Sequence, residues 1–148
     1  MECKYCQKHN PENIIYETTH WYVILANDQY YLGRCIVILK RHCENLTNLE
    51  KSEWDEFMDI VKKLEVSLKK SFNVTMFNWT CLMNHAYKDK NPNPHIHWDL
   101  KPRYNHSVKI DHLVFEDLEF GEHYDLTKKQ EVSPEIIKKI IFKIKDNL

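Results

Sequence analysis

Glycine is nearly absent from this 148-residue chain, which has two. No GxGxxG loop and no Walker sequence can be built from them, so phosphate binding by a glycine-rich loop is excluded. An excess of one charge is also missing. Lys and Arg number 21 against 22 Asp and Glu, leaving a formal −1, which argues against a protein built to coat nucleic acid or an anionic membrane. Long hydrophobic runs are lacking too: IVIL at 36–39 falls far short of the roughly 20 apolar residues of a bilayer-spanning helix. The opening MECKYCQKHN has no apolar stretch of the secretory kind. Five cysteines is an odd number and fits reduced thiols better than a disulfide framework. The expectation is a cytoplasmic protein with no nucleic-acid or membrane partner.

What is present is a globular pattern of single-domain length, 1–148. IIYE (14–17), WYVILA (21–26) and RCIVILK (34–40) are β-branched and aromatic stretches separated by short breaks at NDQ (27–29) and Gly33, which predicts an antiparallel meander. From 47 to 70 the apolar period changes: Leu49, Trp54, Phe57, Met58, Val61, Leu64 and Leu68 recur every three or four residues, as in one amphipathic helix capped by Thr47 or Asn48. VTMFNWTCLMN (74–84) and PHIHWDLKPRY (94–104) read as further strands around the polar loop HAYKDKNPN, and HLVFEDLEF (112–120) as an edge strand. Ser133-Pro134-Glu135 starts a short amphipathic helix over 133–147. The predicted class is α+β: an antiparallel sheet of about five strands, one long helix packed on it and a short C-terminal helix.

Two constellations carry chemistry. Cys3 and Cys6, spaced CxxC, can grip one zinc ion if two more ligands come from elsewhere; His42 and one of His95 or His97 are the natural supply. The plain alternative is two thiols on a polar arm spanning 1–10. In the second constellation, HIHWDL at 95–100, strand alternation places His95, His97 and Asp99 on one face and Ile96, Trp98 and Leu100 on the core side. Three titratable side chains in a row on an apolar strand mark a site. A neutral imidazole there suits nucleophilic attack, while His-x-His with a carboxylate also suits a catalytic metal; spacing leaves both open. Lys88, Lys90 and Arg103 read as solvated surface charges.

Taken together, His95-Ile96-His97-Trp98-Asp99-Leu100-Lys101, the apolar strand ending in Lys40-Arg41-His42, the helix after it and the N-terminal CxxC resemble the zinc-containing branch of the histidine triad (HIT) superfamily. That family's signature is His-φ-His-φ-His-φ-φ, with φ apolar. The resemblance implies a nucleotide hydrolase or transferase. His97 would attack the α-phosphorus of a nucleoside phosphoramidate or dinucleoside polyphosphate and form a nucleotidyl-histidine intermediate. Cys3, Cys6, His42 and His95 would bind a structural zinc, Asn84 would hold a phosphate oxygen, and the chain would form a homodimer. Two departures stand out. The third histidine is Asp99, an acceptor when ionised; it would be protonated, paired with a cation such as Arg103, or the mark of a nucleotide-binding protein with weak turnover. The ribose-binding acid would fall at Ala26, Asn27 or Asp28, of which Asn27 is taken as the candidate.

Overall fold

The computed structural model describes residues 3–148. Seven strands and two helices follow in chain order: β1 (Ile14–Glu17), β2 (Trp21–Leu25), β3 (Cys35–Leu39), α1 (Lys51–Phe72), β4 (Met76–Thr80), β5 (His97–Arg103), β6 (Val108–Ile110), β7 (Leu113–Phe115) and α2 (Pro134–Asp146). The first five form an antiparallel sheet in the order β1-β2-β3-β5-β4. β5 is thus an interior strand, and whatever it presents to either face is held from both sides.

Period-2 burial drives the sheet. In β2, Trp21, Val23 and Leu25 are buried while Tyr22 and Ile24 are half-buried. In α1, Phe57, Ile60, Leu64, Leu68 and Phe72 make one buried stripe that covers the sheet face bearing Trp21, Val37 and Leu100. Phe57 stacks on Trp98 at a ring separation of 4.7 Å. One face of β5 is therefore sealed by α1, and His97, Asp99 and Lys101 belong to the other by alternation.

α1 does not start at Thr47 or Asn48. Leu46–Asn48 is a separate 3-10 turn, and Glu50 caps the helix through a reciprocal capping box with Glu53. Glu53 wins because its carboxylate, 2% exposed, also takes a fork from Arg41 at 2.6 and 2.9 Å. The stretch 112–120 is not an edge strand of the main sheet. β7 pairs only with β6 in a two-stranded ribbon turned at Asp111, whose φ is 51°. Past Phe115 the chain leaves the strand because Arg103 captures Asp117 at 2.6 Å. Arg103 is accordingly no surface charge. It is fully buried, and it also donates to Asn78 Oδ1 and to the carbonyls of Glu119 and Glu122.

Gly33 turns the chain into β3 with φ at 81°, and a Cβ there would meet Leu68 Cδ2 at 2.9 Å. Both the left-handed backbone and the close approach call for glycine. Gly33→Ala is expected to lower stability by about 2–4 kcal/mol, the sum of backbone strain and overpacking; a urea unfolding midpoint equal to wild type would contradict this.

Candidate active site and metal-ligating cluster

β5 opens at His97, so His95 lies just before the strand, in a segment held by the Ile96 amide donating to the Cys43 carbonyl at 2.9 Å. The His95 ring is 2% exposed. Its Nε2 sits 2.8 Å from the Leu39 carbonyl oxygen; a carbonyl only accepts, so Nε2 carries the proton and Nδ1 is bare. That bare nitrogen faces Cys3 Sγ at 3.4 Å, Cys6 Sγ at 3.5 Å and His42 Nδ1 at 3.2 Å, and Cys6 Sγ lies 3.6 Å from His42 Nδ1. All four ligand atoms fall within 4.8 Å of one another. A tetrahedral zinc with Zn–S near 2.3 Å and Zn–N near 2.0–2.1 Å has edges of about 3.5–3.6 Å between S and N and about 3.3–3.4 Å between nitrogens. The four edges given above agree with these to within about 0.2 Å, the donor set is the Cys2His2 set zinc favours, and the His95 tautomer is fixed by a partner behind it. The four residues lie close enough to bind a metal ion.

His97 is set by its neighbour. Its Nδ1 lies 2.7 Å from the His95 carbonyl oxygen. The same logic puts the proton on Nδ1 and leaves Nε2 with its lone pair. Burial pulls the His97 pKa below the usual histidine value, with the His95 carbonyl opposing, so the ring is neutral at physiological pH. Tyr5, between the two cysteines, stacks on His97 at 4.3 Å and 27°. Beside them lies a cavity of about 250 Å³ whose polar lining includes Lys4, His85, Asn91 and Asn93.

Asp99 is ionised, and its partner is not Arg103. Arg34 grips it through Nε–Oδ1 at 3.0 Å and Nη2–Oδ2 at 2.8 Å, and Lys101 Nζ reaches Oδ2 at 2.7 Å. Burial alone would raise the Asp99 pKa, but the Arg34 hydrogen bonds and the charges of Arg34 and Lys101 outweigh it and hold the carboxyl below the usual range. Arg34 also bonds Asp28 at 2.9 Å, which takes backbone N–H donors from Tyr30 and Gln130. The carboxylate beside His97 is thus neutralised by two cations. A depressed folded-state pKa means the stability it brings is present above the ordinary aspartate value of 3.8 and is lost as pH falls through the folded value. Asp99→Asn is expected to flatten the loss of stability below about pH 4. Acid unfolding curves followed by tryptophan fluorescence test this, and parallel curves for the two proteins would count against it.

The other expected site residues fall elsewhere. Asn27 is exposed, accepting from Asn13 Nδ2 at 2.7 Å, in a hollow it shares with Ile24, Asp28, Arg34 and Ile36. Asn84 is exposed and opens a 3-10 turn, Asn84–Lys88, rather than sitting on β4; the cavity beside His97 is lined by His85, Asn91 and Asn93 instead. Lys88 and Lys90 are exposed. Tyr5, Arg34 and Lys101 were not anticipated. Tyr5 lay in view inside CxxC, whereas the reach of Arg34 to Asp99 depends on the β3–β5 register.

Among known proteins, a family model described as HIT domain matches residues 7–106, starting just after Cys6. No curated protein matches the chain. Its fold is similar to a histidine triad protein from Marinobacter aquaeolei (TM-score 0.69, 15% identity, 91% of this chain and 87% of that one). It is also similar to a hypothetical histidine triad nucleotide-binding protein from Sulfolobus tokodaii (0.66, 21%, 97% and 93%). A third is the diadenosine triphosphate hydrolase of Plasmodium falciparum (0.63, 14%, 93% and 77%). Among the described residues, no helix is long and apolar enough to cross a membrane.

Proposed function

The chain belongs to the HIT domain family, and on that premise we propose that it is a nucleotide hydrolase or nucleotidyl transferase acting through His97. The observation that carries this reading is the 2.7 Å contact from His97 Nδ1 to the His95 carbonyl. It holds the proton on one side of the ring and leaves Nε2 free to attack. His97 Nε2 bonds to the α-phosphorus of a nucleoside phosphoramidate or dinucleoside polyphosphate. The bond from phosphorus to the leaving nitrogen or oxygen breaks, and the leaving group takes up a proton. Water then cleaves the P–N bond, freeing the nucleoside monophosphate and the neutral ring. Phosphoryl chemistry asks for donors around the equatorial oxygens. Lys4, Asn91 and Asn93 border the cavity beside His97, and Asn84 begins the same loop. Asn27, with Asp28, lines the hollow that would take the nucleoside.

Cys3, Cys6, His42 and His95 would hold a zinc ion, which when bound supplies a closed crosslink between the N-terminal arm and the segment before β5. A homodimer fits as well: β4 is an open sheet edge, and Trp54 and Met58 are exposed on α1. A monomer in sedimentation equilibrium would refute it.

Asp99 supports a second reading, a zinc-stabilised nucleotide-binding protein with little turnover, since a carboxylate offers no donor to a phosphate. An ionised Asp99 would also repel a phosphate anion, but the pairing with Arg34 and Lys101 already neutralises its charge. The test is acid quench of enzyme mixed with a substrate labelled at the α-phosphate. A protein-bound label that chases into nucleoside monophosphate supports the hydrolase, and binding with neither adduct nor product supports the second reading. Asp99→His separates them further: a rise in turnover means the carboxylate is a defect, a fall means it is used.

A further inference from the structure

The two cysteines do more in this chain than point sulfur at one centre. The Cys6 amide donates to the Cys3 carbonyl at 3.0 Å, closing a turn with Lys4 and Tyr5 at its tip. The tip is laid against the site: Tyr5 stacks on His97 at 4.3 Å and lies 5.7 Å from the His95 ring, while Lys4 Nζ sits 4.7 Å above the tyrosine. We infer that metal binding at Cys3, Cys6, His42 and His95 orients the His97 imidazole by latching Tyr5 against its face. Tyr5 is a positioning residue, and the inference rests on His97 being the nucleophile.

The physical reason is a count of restraints. A histidine χ2 torsion is broad and roughly two-fold. One hydrogen bond, from Nδ1 to the His95 carbonyl, fixes the direction of one ring atom but leaves the ring free to swing about that bond. A second ring against its face removes the swing. Stacking covers the π surface and leaves the Nε2 lone pair clear, because that lone pair lies in the ring plane. Tyr5 therefore steadies the attacking atom without standing in its path. The turn carrying Tyr5 is only a few residues long, and its cysteines meet His95 just ahead of β5. Ordering so short a polar arm costs more conformational entropy than its few contacts return, unless a metal binds all four ligands and fixes Cys3 and Cys6 at once. The cluster thus reaches His97 along two paths, through the backbone carbonyl of His95 and through the ring of Tyr5, and only the second depends on the arm being held.

Nuclear Overhauser effects between the ring protons of Tyr5 and His97 test this in the whole protein, loaded with one equivalent of zinc and then stripped with a chelator. The effect is expected with zinc and lost without it, while the His97 Hε1 resonance moves downfield as the tyrosine ring current is withdrawn. Persistence of the effect after zinc is removed, or its absence from the loaded protein, overturns the inference. Neither reading depends on turnover, so failure of the hydrolase assignment would not be confused with failure of the latch. For an active protein, Tyr5→Leu is expected to retain zinc and to lower kcat about tenfold, an orientation effect, with KM little changed, while Tyr5→Phe restores the rate. A Tyr5→Leu protein that keeps both zinc and full kcat would equally overturn the positioning role.

Discussion

His97→Ala is expected to reduce release of nucleoside monophosphate by at least about 10⁴-fold, or more than about 5 kcal/mol of transition-state stabilisation. Nucleotide binding should survive, because the substitution removes the attacking nitrogen and leaves the surrounding sheet intact. His97 stands on an interior strand and is only half-buried, so its loss opens little cavity in the core on the α1 side. The measurement is a pair of titrations on the same protein, one of product release and one of nucleotide affinity. Equal losses in both would mean that His97 only holds the ligand.

The second large effect falls on the arm. Cys3→Ser replaces a ligand sulfur that is buried against His95. Even partners one shell beyond a metal are worth 10–100-fold in affinity, so losing a ligand is expected to weaken zinc binding by at least about a hundredfold, about 2.8 kcal/mol. Metal analysis should show substoichiometric zinc, and limited proteolysis should cut the arm near Lys4 and Lys8 sooner than in wild type. Unchanged zinc content would show that the cluster is not the binding site. Cys43→Ser is the control, since that buried cysteine lies outside the four-residue cluster.

The sequence is informative here wherever one period governs. The β-branched run in RCIVILK identifies its strand, alternation in HIHWDL places His97 and Asp99 on one face, and the three-four spacing from Leu49 to Leu68 identifies α1. CxxC with His42 leaves His95 and His97 both open as the fourth ligand, and the family resemblance singles out His95, which is the histidine that converges with the other three. What stayed hidden is what depends on register and distant partners. Arg34 reads as the polar first residue of an apolar strand; only the pairing of Ile36 with Asp99 across β3 and β5 brings its side chain to the carboxylate. Arg103 reads as surface because it follows Lys101 and Pro102, and its burial is decided by Asp117 in a segment that looked like a strand. Glu50 as a cap was missed because the reciprocal bond with Glu53 has no composition signal beyond two glutamates three apart. Asn84 comes from the family resemblance on the expectation that it sits on a strand, and the 3-10 turn it opens puts it elsewhere.

Asp28 joins chain segments that are far apart in sequence. Its carboxylate takes the Gln130 amide at 2.9 Å across 102 residues of chain, while the Gln29 amide donates back to the Gln130 carbonyl at 2.8 Å. The same carboxylate holds Arg34, which in turn holds Asp99. A single peptide-bond scission in the exposed stretch around Thr127 and Lys128 would therefore loosen the brace on Arg34 and Asp99 although no residue beside His97 is touched. Through those two bonds the segment acts as a strut for the Arg34–Asp99 pair, from far along the chain.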